Sequence, residues 1–247
     1  MQAVAFILLN TAILVSGIPR DYDLIGSWNW GSGSKGPSNA NAAAAFTGLI
    51  KVQDAIDGYS EFANWCCPEL AGSKLLTLGG GNAAGQFTVD ALKAIQSDLH
   101  LIPEANYSGV VFDVEEAVGN GEDLKEAFEE TFLATKKMGL EVVITTSHSA
   151  PYQTDDASIA VDLVKGWCAS ENVDYLSPQL YSSGMEGSPE LDETSSCVDE
   201  GCTWDLYKPC KGRFAPSIVD VTHLDEAESF FEEYGIYFAG YFVWAQV

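Results

Sequence analysis

One pattern recurs along most of this sequence: an apolar run of β-forming residues, a polar loop, then a segment with helical spacing. "DLIGSWNWGS" and "SKLLTLGGG" read as strands, and "DALKAIQSDLHLI" has helical spacing before "YSGVVFDVEEAV". "EDLKEAFEETFLATKKMG" is the clearest helix, with Ala127, Phe128, Phe132, Leu133 and Met138 on one broad face and Gly139 as its stop. Strand "LEVVITTSHS", helix "ASIAVDLVKGWCA", strand "VDYLSPQLYSS", a Cys-rich loop, strand "GRFAPSIVD", helix "HLDEAESFFEEYG" and strand "YFAGYFVWAQ" follow. Strict βα alternation implies parallel strands covered by helices. Seven strands are visible. The second of eight must lie within residues 41–60, and "GLIKVQDAI" is expected to supply it. The count favours an α/β fold of the (β/α)8 TIM-barrel type over an open doubly wound sheet. The last strand runs almost to residue 247, so no eighth covering helix is expected after it.

The chain has 247 residues, 47% of them hydrophobic, enough for one large core. Its 12 Lys and Arg stand against 36 Asp and Glu, a net charge of −24. That balance argues against nucleic acid or an anionic membrane surface as partner and suits a neutral or cationic ligand. Residues 1–17, "MQAVAFILLNTAILVSG", have the apolar core and small-residue end of a secretory signal and are too short to span a membrane comfortably. A secreted protein with one domain over residues 18–247 is expected; the alternative is that residues 1–17 pack over the uncovered flank of the last strand. The six cysteines lack C-x-x-C spacing, so they are read as structural, with Cys197 and Cys202 the tightest candidate pair. "NYS" at Asn106 is a glycosylation triplet.

"GVVFDVEEAV", residues 109–118, sets carboxylates into an apolar strand. Alternate residues of a strand share a face, so Val110, Phe112 and Val114 point to the helices and Val111, Asp113 and Glu115 into the barrel. Asp113 and Glu115 are about 6.6–6.8 Å apart along the backbone, at the C-terminal end of the strand, where barrel active sites lie. Glu116 is expected on the outer face or in the loop, solvated. A salt bridge or a structural metal would also explain the pair, but the one basic residue near a neighbouring strand is Arg213. Paired acids without a counter-ion favour proton chemistry, because each carboxylate raises the pKa of the other.

The same strand resembles the D-G-x-D-x-D-x-E strand of family 18 glycoside hydrolases, the chitinases and their relatives. Gly109, Asp113 and Glu115 match, while Ser108 and Val111 stand where the family has aspartates. "TLGGG" at 77–81 is similar to the S-x-G-G third strand, "QLY" at 179–181 to the sixth-strand Q-x-Y, and "YFVW" to the last strand with its tryptophan. "SAP" before Tyr152 resembles the fifth-strand end of small plant-type chitinases. The resemblance implies that Glu115 is the general acid, that Asp113 orients the substrate's acetamide, and that Tyr181 donates to its carbonyl oxygen. Trp244, Gln179, Gly80 and Trp28 complete the implied sugar site. The implied substrate is a β-1,4-linked N-acetylglucosamine polymer or oligosaccharide, cleaved with retention and without metal or cofactor. Loss of the aspartate at Val111 leaves a second reading open, a carbohydrate-binding or inhibitor protein on the same fold. Two rivals are weaker. Gly79, Gly81 and Ala84 spell a dinucleotide fingerprint but lack an adjoining helix N-terminus. His148 invites a hydrolase triad, but no G-x-S-x-G elbow exists, so a polar residue at the barrel mouth is the better reading.

Overall fold

The computed structural model describes residues 21–31, 36–66 and 69–244, so both roles considered for residues 1–17 lie outside the described residues. Six strands pair each with the next in parallel: β1 (Leu24–Asn29), β2 (Ala42–Ala45), β3 (Ser73–Gly79), β4 (Gly109–Asp113), β5 (Glu141–Ser147) and β6 (Tyr175–Gln179). β7 comes in two pieces, Arg213–Phe214 beside β6 and Ser217–Ile218 between β6 and β8 (Gly240–Val243). β8 pairs with β1 and closes the ring. This is the eight-stranded parallel TIM barrel that the alternation implied.

The period of two sorts the strand residues into two cores. Leu24, Trp28, Leu75, Val111, Val143 and Phe242 fill the barrel interior. Ile25, Leu76, Val110, Phe112, Val142 and Ile144 belong to the larger core under the helices. The second strand is not "GLIKVQDAI" but Ala42–Ala45, four alanines each no more than 1% exposed. Alanine favours helices, but here burial in the parallel sheet overrides propensity. The expected segment instead becomes a loop and the start of α1 (Val52–Cys66).

Helices α2 (Val89–Asp98), α3 (Gly121–Lys137), α4 (Ala157–Ala169) and α5 (Leu224–Tyr234) follow β3, β4, β5 and β7. Each of α2, α3 and α4 starts on a side-chain cap, Thr88, Asn120 and Asp156, that accepts from backbone N–H groups of the first turn. The buried stripe of α3 runs through Leu124, Ala127, Phe128, Thr131, Phe132 and Thr135. Leu133 and Met138 are off it and exposed, 41% and 45%, so the broad apolar face is narrower than the composition suggested. Strict alternation also fails. Among the described residues no α-helix follows β1 or β6.

After β6, residues 180–212 form a loop with two 3-10 turns, Val198–Glu200 and Trp204–Tyr207. Disulfide Cys197–Cys202 closes it locally, as its spacing suggested, and Cys168–Cys210 ties it to α4. Trp204 and Tyr207 pack into the outer core, with the Trp204 indole N–H donating to Leu191 O at 2.8 Å. Thr194 anchors the loop to the end of β5: its hydroxyl lies 2.8 Å from Ser147 O and accepts from Ala150 N at 3.0 Å.

Phe112 is fully buried, its ring 5.2 Å from that of Phe132 and 6.5 Å from that of Phe87. Phe112→Ala should cost about 3–5 kcal/mol in chemical denaturation, while Leu133→Ser should change stability by no more than about 0.5 kcal/mol. Equal effects would contradict the assignment of the two faces.

Candidate active site

The C-terminal ends of β3 and β4 meet in a close turn. Gly79 has φ +104°, and a Cβ there would strike Asp113 O and the Phe87 ring, so the position needs glycine. The next backbone N–H, of Gly80, donates to Asp113 O at 2.9 Å. Gly80 therefore holds the strand end and is itself buried. Asp113 is 2% exposed, and Glu115, two residues on, is half-buried at the mouth.

Inward-facing residues of the next strands complete the arrangement. The Gln179 side-chain amide, at the end of β6, donates to Asp113 Oδ1 at 3.2 Å and to Glu115 Oε1 at 3.4 Å. Ser147, at the end of β5, donates its hydroxyl to Glu115 Oε2 at 2.9 Å. Among the described residues no Lys or Arg pairs with either carboxylate. Arg213 is at the opposite end of the barrel, beside the first residue of β6; it pairs with Asp23 at 2.8 Å and lies 4.1 Å above the Tyr175 ring.

Burial pushes the Asp113 pKa well above the ordinary aspartate range, and the neighbouring Glu115 adds to the rise. The energetics agree on protonation. Placing a proton on an ordinary aspartate at pH 7 costs about 4 kcal/mol. Burying a carboxylate charge with no counter-ion costs several kcal/mol even after relaxation, and repulsion from Glu115 adds to it. Tyr181 is 5% exposed and its hydroxyl stays protonated, raised by burial and then by Asp113 and Glu115. Ser217 is near enough to interact with it, yet no well-formed hydrogen bond results.

Glu115, Gln179 and Tyr181 line one cavity of about 500 Å³, together with Ser147, His148, Tyr152 and the loop residues 190–195. That volume is in the range of small-molecule sites. His148 does sit at the mouth, with φ +46°, its Nε2 3.2 Å from Glu190 Oε2.

Glu116 departs from expectation. It is 8% exposed rather than solvated, and its carboxylate accepts from Tyr152 OH at 2.7 Å and Gln86 Nε2 at 3.2 Å. The segment bearing the two glutamates is pinned by its backbone too: Phe87 N donates to Glu116 O and Gln153 N to Glu115 O. Gly81 leaves room for this clamp, because a Cβ there would come within 2.8 Å of Glu115 Oε2 and 3.2 Å of Tyr152 OH. The Tyr152 hydroxyl is pushed above its usual range by burial and by its bond to Glu116.

One aromatic expectation changes. Trp28 is 1% exposed inside the barrel, with its indole N–H donating to Ser217 Oγ at 3.0 Å, so it cannot touch a ligand at the mouth. Its strand position was read correctly, but the inner face of β1 at that depth is core. Trp244 packs in an aromatic group, stacked at 4.8 Å on Trp30 and 5.5 Å on Tyr181. It is itself half-buried, and Tyr181 lines the cavity. Ser147 could have been found in the sequence, since it lies on the inward face of β5 with Val143 and Thr145. The Glu116–Tyr152 bond joins residues 36 apart and leaves no local pattern.

No protein-family model matches the chain, and neither does any curated protein. Among solved structures it is similar to a chitinase from Chromobacterium violaceum, at 14% identity and TM-score 0.44, over 79% of this chain and 68% of that one. It is similar also to the homocysteine methyltransferase MmuM from Escherichia coli, at 13% identity and TM-score 0.43, over 84% and 76%.

Because Asp113 holds its proton more tightly when folded than when unfolded, raising the pH through the ordinary aspartate pKa of about 3.9 works against folding. The penalty grows until the raised folded-state pKa is passed. Asp113→Asn removes it. Thermal melts from pH 4 to 8 should show the variant gaining stability over the wild type as pH rises; a constant difference would contradict a buried, protonated Asp113.

Proposed function

We propose that this chain is a secreted glycosidase that cleaves β-1,4-linked N-acetylglucosamine chains with retention, using the substrate's own acetamide as nucleophile. The observation that carries the reading is the Asp113–Glu115 pair: one carboxyl buried and protonated, the other open to a cavity, both under the Gln179 amide and, among the described residues, paired with no Lys or Arg. The family resemblance of the β3, β4, β6 and β8 motifs supplies the substrate class. Disulfides Cys168–Cys210 and Cys197–Cys202 support an oxidising compartment, as does the signal-like composition of residues 1–17. Among the described residues no helix is long and apolar enough to cross a membrane.

The proposed cycle needs one proton in the pair. Asp113 holds it in the empty site. When the acetamide N–H of the sugar approaches Asp113, that carboxyl becomes an acceptor and the proton passes to Glu115. Glu115 gives it to the glycosidic oxygen as the acetamide carbonyl oxygen attacks the anomeric carbon and the C–O bond breaks. Tyr181 donates to that carbonyl oxygen and holds it in line. Glu115, now a carboxylate, takes a proton from water as the water oxygen opens the cyclic intermediate. Both displacements invert, so the configuration is retained.

Val111 favours a second reading. It is fully buried in the inner core, so the inner face of β4 below Asp113 offers hydrocarbon rather than another carboxyl. A protein that binds the sugar and does not cleave it has the same cavity.

Glu115→Gln separates the readings. Turnover of a fluorogenic chito-oligosaccharide should fall by about 10²–10⁴-fold while oligosaccharide binding persists. Wild-type turnover should also fall as pH rises past the raised pKa of Asp113, since the proton the cycle needs is then lost. Wild-type protein that binds but never cleaves the oligosaccharide supports the binding-only reading, and unchanged turnover in the variant removes Glu115 from the role.

A further inference from the structure

Asn106 begins the one N-x-S/T triplet in the sequence, completed by Tyr107 and Ser108. It sits in the turn just before Gly109, the first residue of β4, and so at the end of the barrel opposite the proposed active site. Its φ of +64° is left-handed, a region in which asparagine is enriched. The side chain is exposed, and among the described residues its carboxamide makes no hydrogen bond. Other loop asparagines serve the fold. Asn41 accepts from Ile25 N, Asn82 donates to Gly48 O, Asn120 caps α3 and Asn172 donates to Glu129. The fold makes no such use of the Asn106 amide.

A cavity of about 340 Å³ opens beside it, lined by Tyr59, Ala63, Leu70 and Tyr107 as well as Asn106. Tyr59 is a separate sign of a ligand there. It lies on the buried side of α1, 4% exposed, yet its hydroxyl has no hydrogen-bond partner among the described residues. Nearly every buried hydroxyl has one, so the cavity lacks a polar group that a ligand would bring. The Ser108 hydroxyl is tied into the fold, accepting from Lys74 N at 3.1 Å and donating to Lys74 O at 3.2 Å. The triplet is read through that hydroxyl, so its modification belongs to the nascent chain, before β4 pairs with β3.

Resting on the secretory part of the reading above and not on its chemistry, we propose that Asn106 carries an N-linked glycan whose first N-acetylglucosamine occupies the cavity beside Tyr59 and Tyr107. The donor is an oligosaccharide linked to a lipid diphosphate. The Asn106 amide nitrogen bonds to the anomeric carbon as the carbon–oxygen bond to the diphosphate breaks. The diphosphate leaves with the electron pair, and the nitrogen loses one proton to a base of the transferase. The attached sugar offers the Tyr59 hydroxyl an oxygen acceptor and lays its apolar face on the Tyr107 ring. The rest of the glycan extends from the N-terminal end of the barrel and leaves the rim that bears Asp113 and Glu115 clear.

The test is production of the full chain in a eukaryotic secretory host, with peptide mass spectrometry of the protein in the medium. The peptide that bears Asn106 should carry a glycan, and peptide N-glycosidase should remove it. Asn106→Gly, which suits the left-handed turn, should be secreted without the glycan, and Ser108→Thr, which keeps the triplet, should be secreted with it. Seating of the first sugar is read by thermal melts. Glycoprotein trimmed to a single N-acetylglucosamine should melt about 2–4 °C above wild type made with lipid-linked oligosaccharide synthesis blocked, the worth of one added hydrogen bond. In Tyr59→Phe that difference should fall towards zero. Secreted wild type without a glycan at Asn106 overturns the inference and leaves the secretory and glycosidase readings standing. A glycan that leaves the melt unchanged, or whose effect survives Tyr59→Phe, overturns the seating in the cavity. A chain that is never secreted overturns the inference together with the secretory reading.

Discussion

The site depends on one amide. Gln179 reaches from the end of β6 to both Asp113 and Glu115, and among the described residues no Lys or Arg pairs with either carboxyl. Two charges so placed would repel, and Asp113 would lack solvent, so Asp113 keeps its proton. The parallel barrel makes the meeting possible. It brings the ends of β3, β4, β5 and β6 to one rim, with Ser147, Gln179 and the two carboxyls on the inward faces.

Around that rim the packing is redundant in a way that restricts movement. Gly79 and Gly80 seal β3 against Asp113, Glu116 is clamped by Tyr152 and Gln86, and Thr194 binds the loop after β6 to β5. Trp244, Trp30 and Tyr181 stack on the other side. A proton donor must be placed within hydrogen-bond reach of its target, and such clamps hold it there without cost at the moment of reaction.

Much of this was legible in the residues. The alternation of β4 puts Val111, Asp113 and Glu115 on one face and Phe112 on the other, because successive side chains of a strand point to opposite faces. Gln179 and Tyr181 came into view through the motif at the end of β6. What failed depended on tertiary context. Four alanines carry no strand signal of their own, and Ala42–Ala45 become β2 only because β1 and β3 flank them. Trp28 was implied as part of the sugar site, yet its depth in the barrel makes it core. Glu116 looked solvated until Tyr152, from a distant loop, covered it. The loop in place of a helix after β6 was visible as a Cys-rich stretch. Its contribution to the cavity lining was not, because the loop reaches the end of β5 only through long-range bonds such as that of Thr194 to Ser147 O.

The central claim is that the Asp113–Glu115 pair and the substrate's acetamide together break a glycosidic bond. Proton NMR of wild-type protein acting on a chito-oligosaccharide reads it directly, through the anomer that appears before mutarotation. The account predicts that the β-anomer forms first. First appearance of the α-anomer, or no product from folded protein, would contradict it.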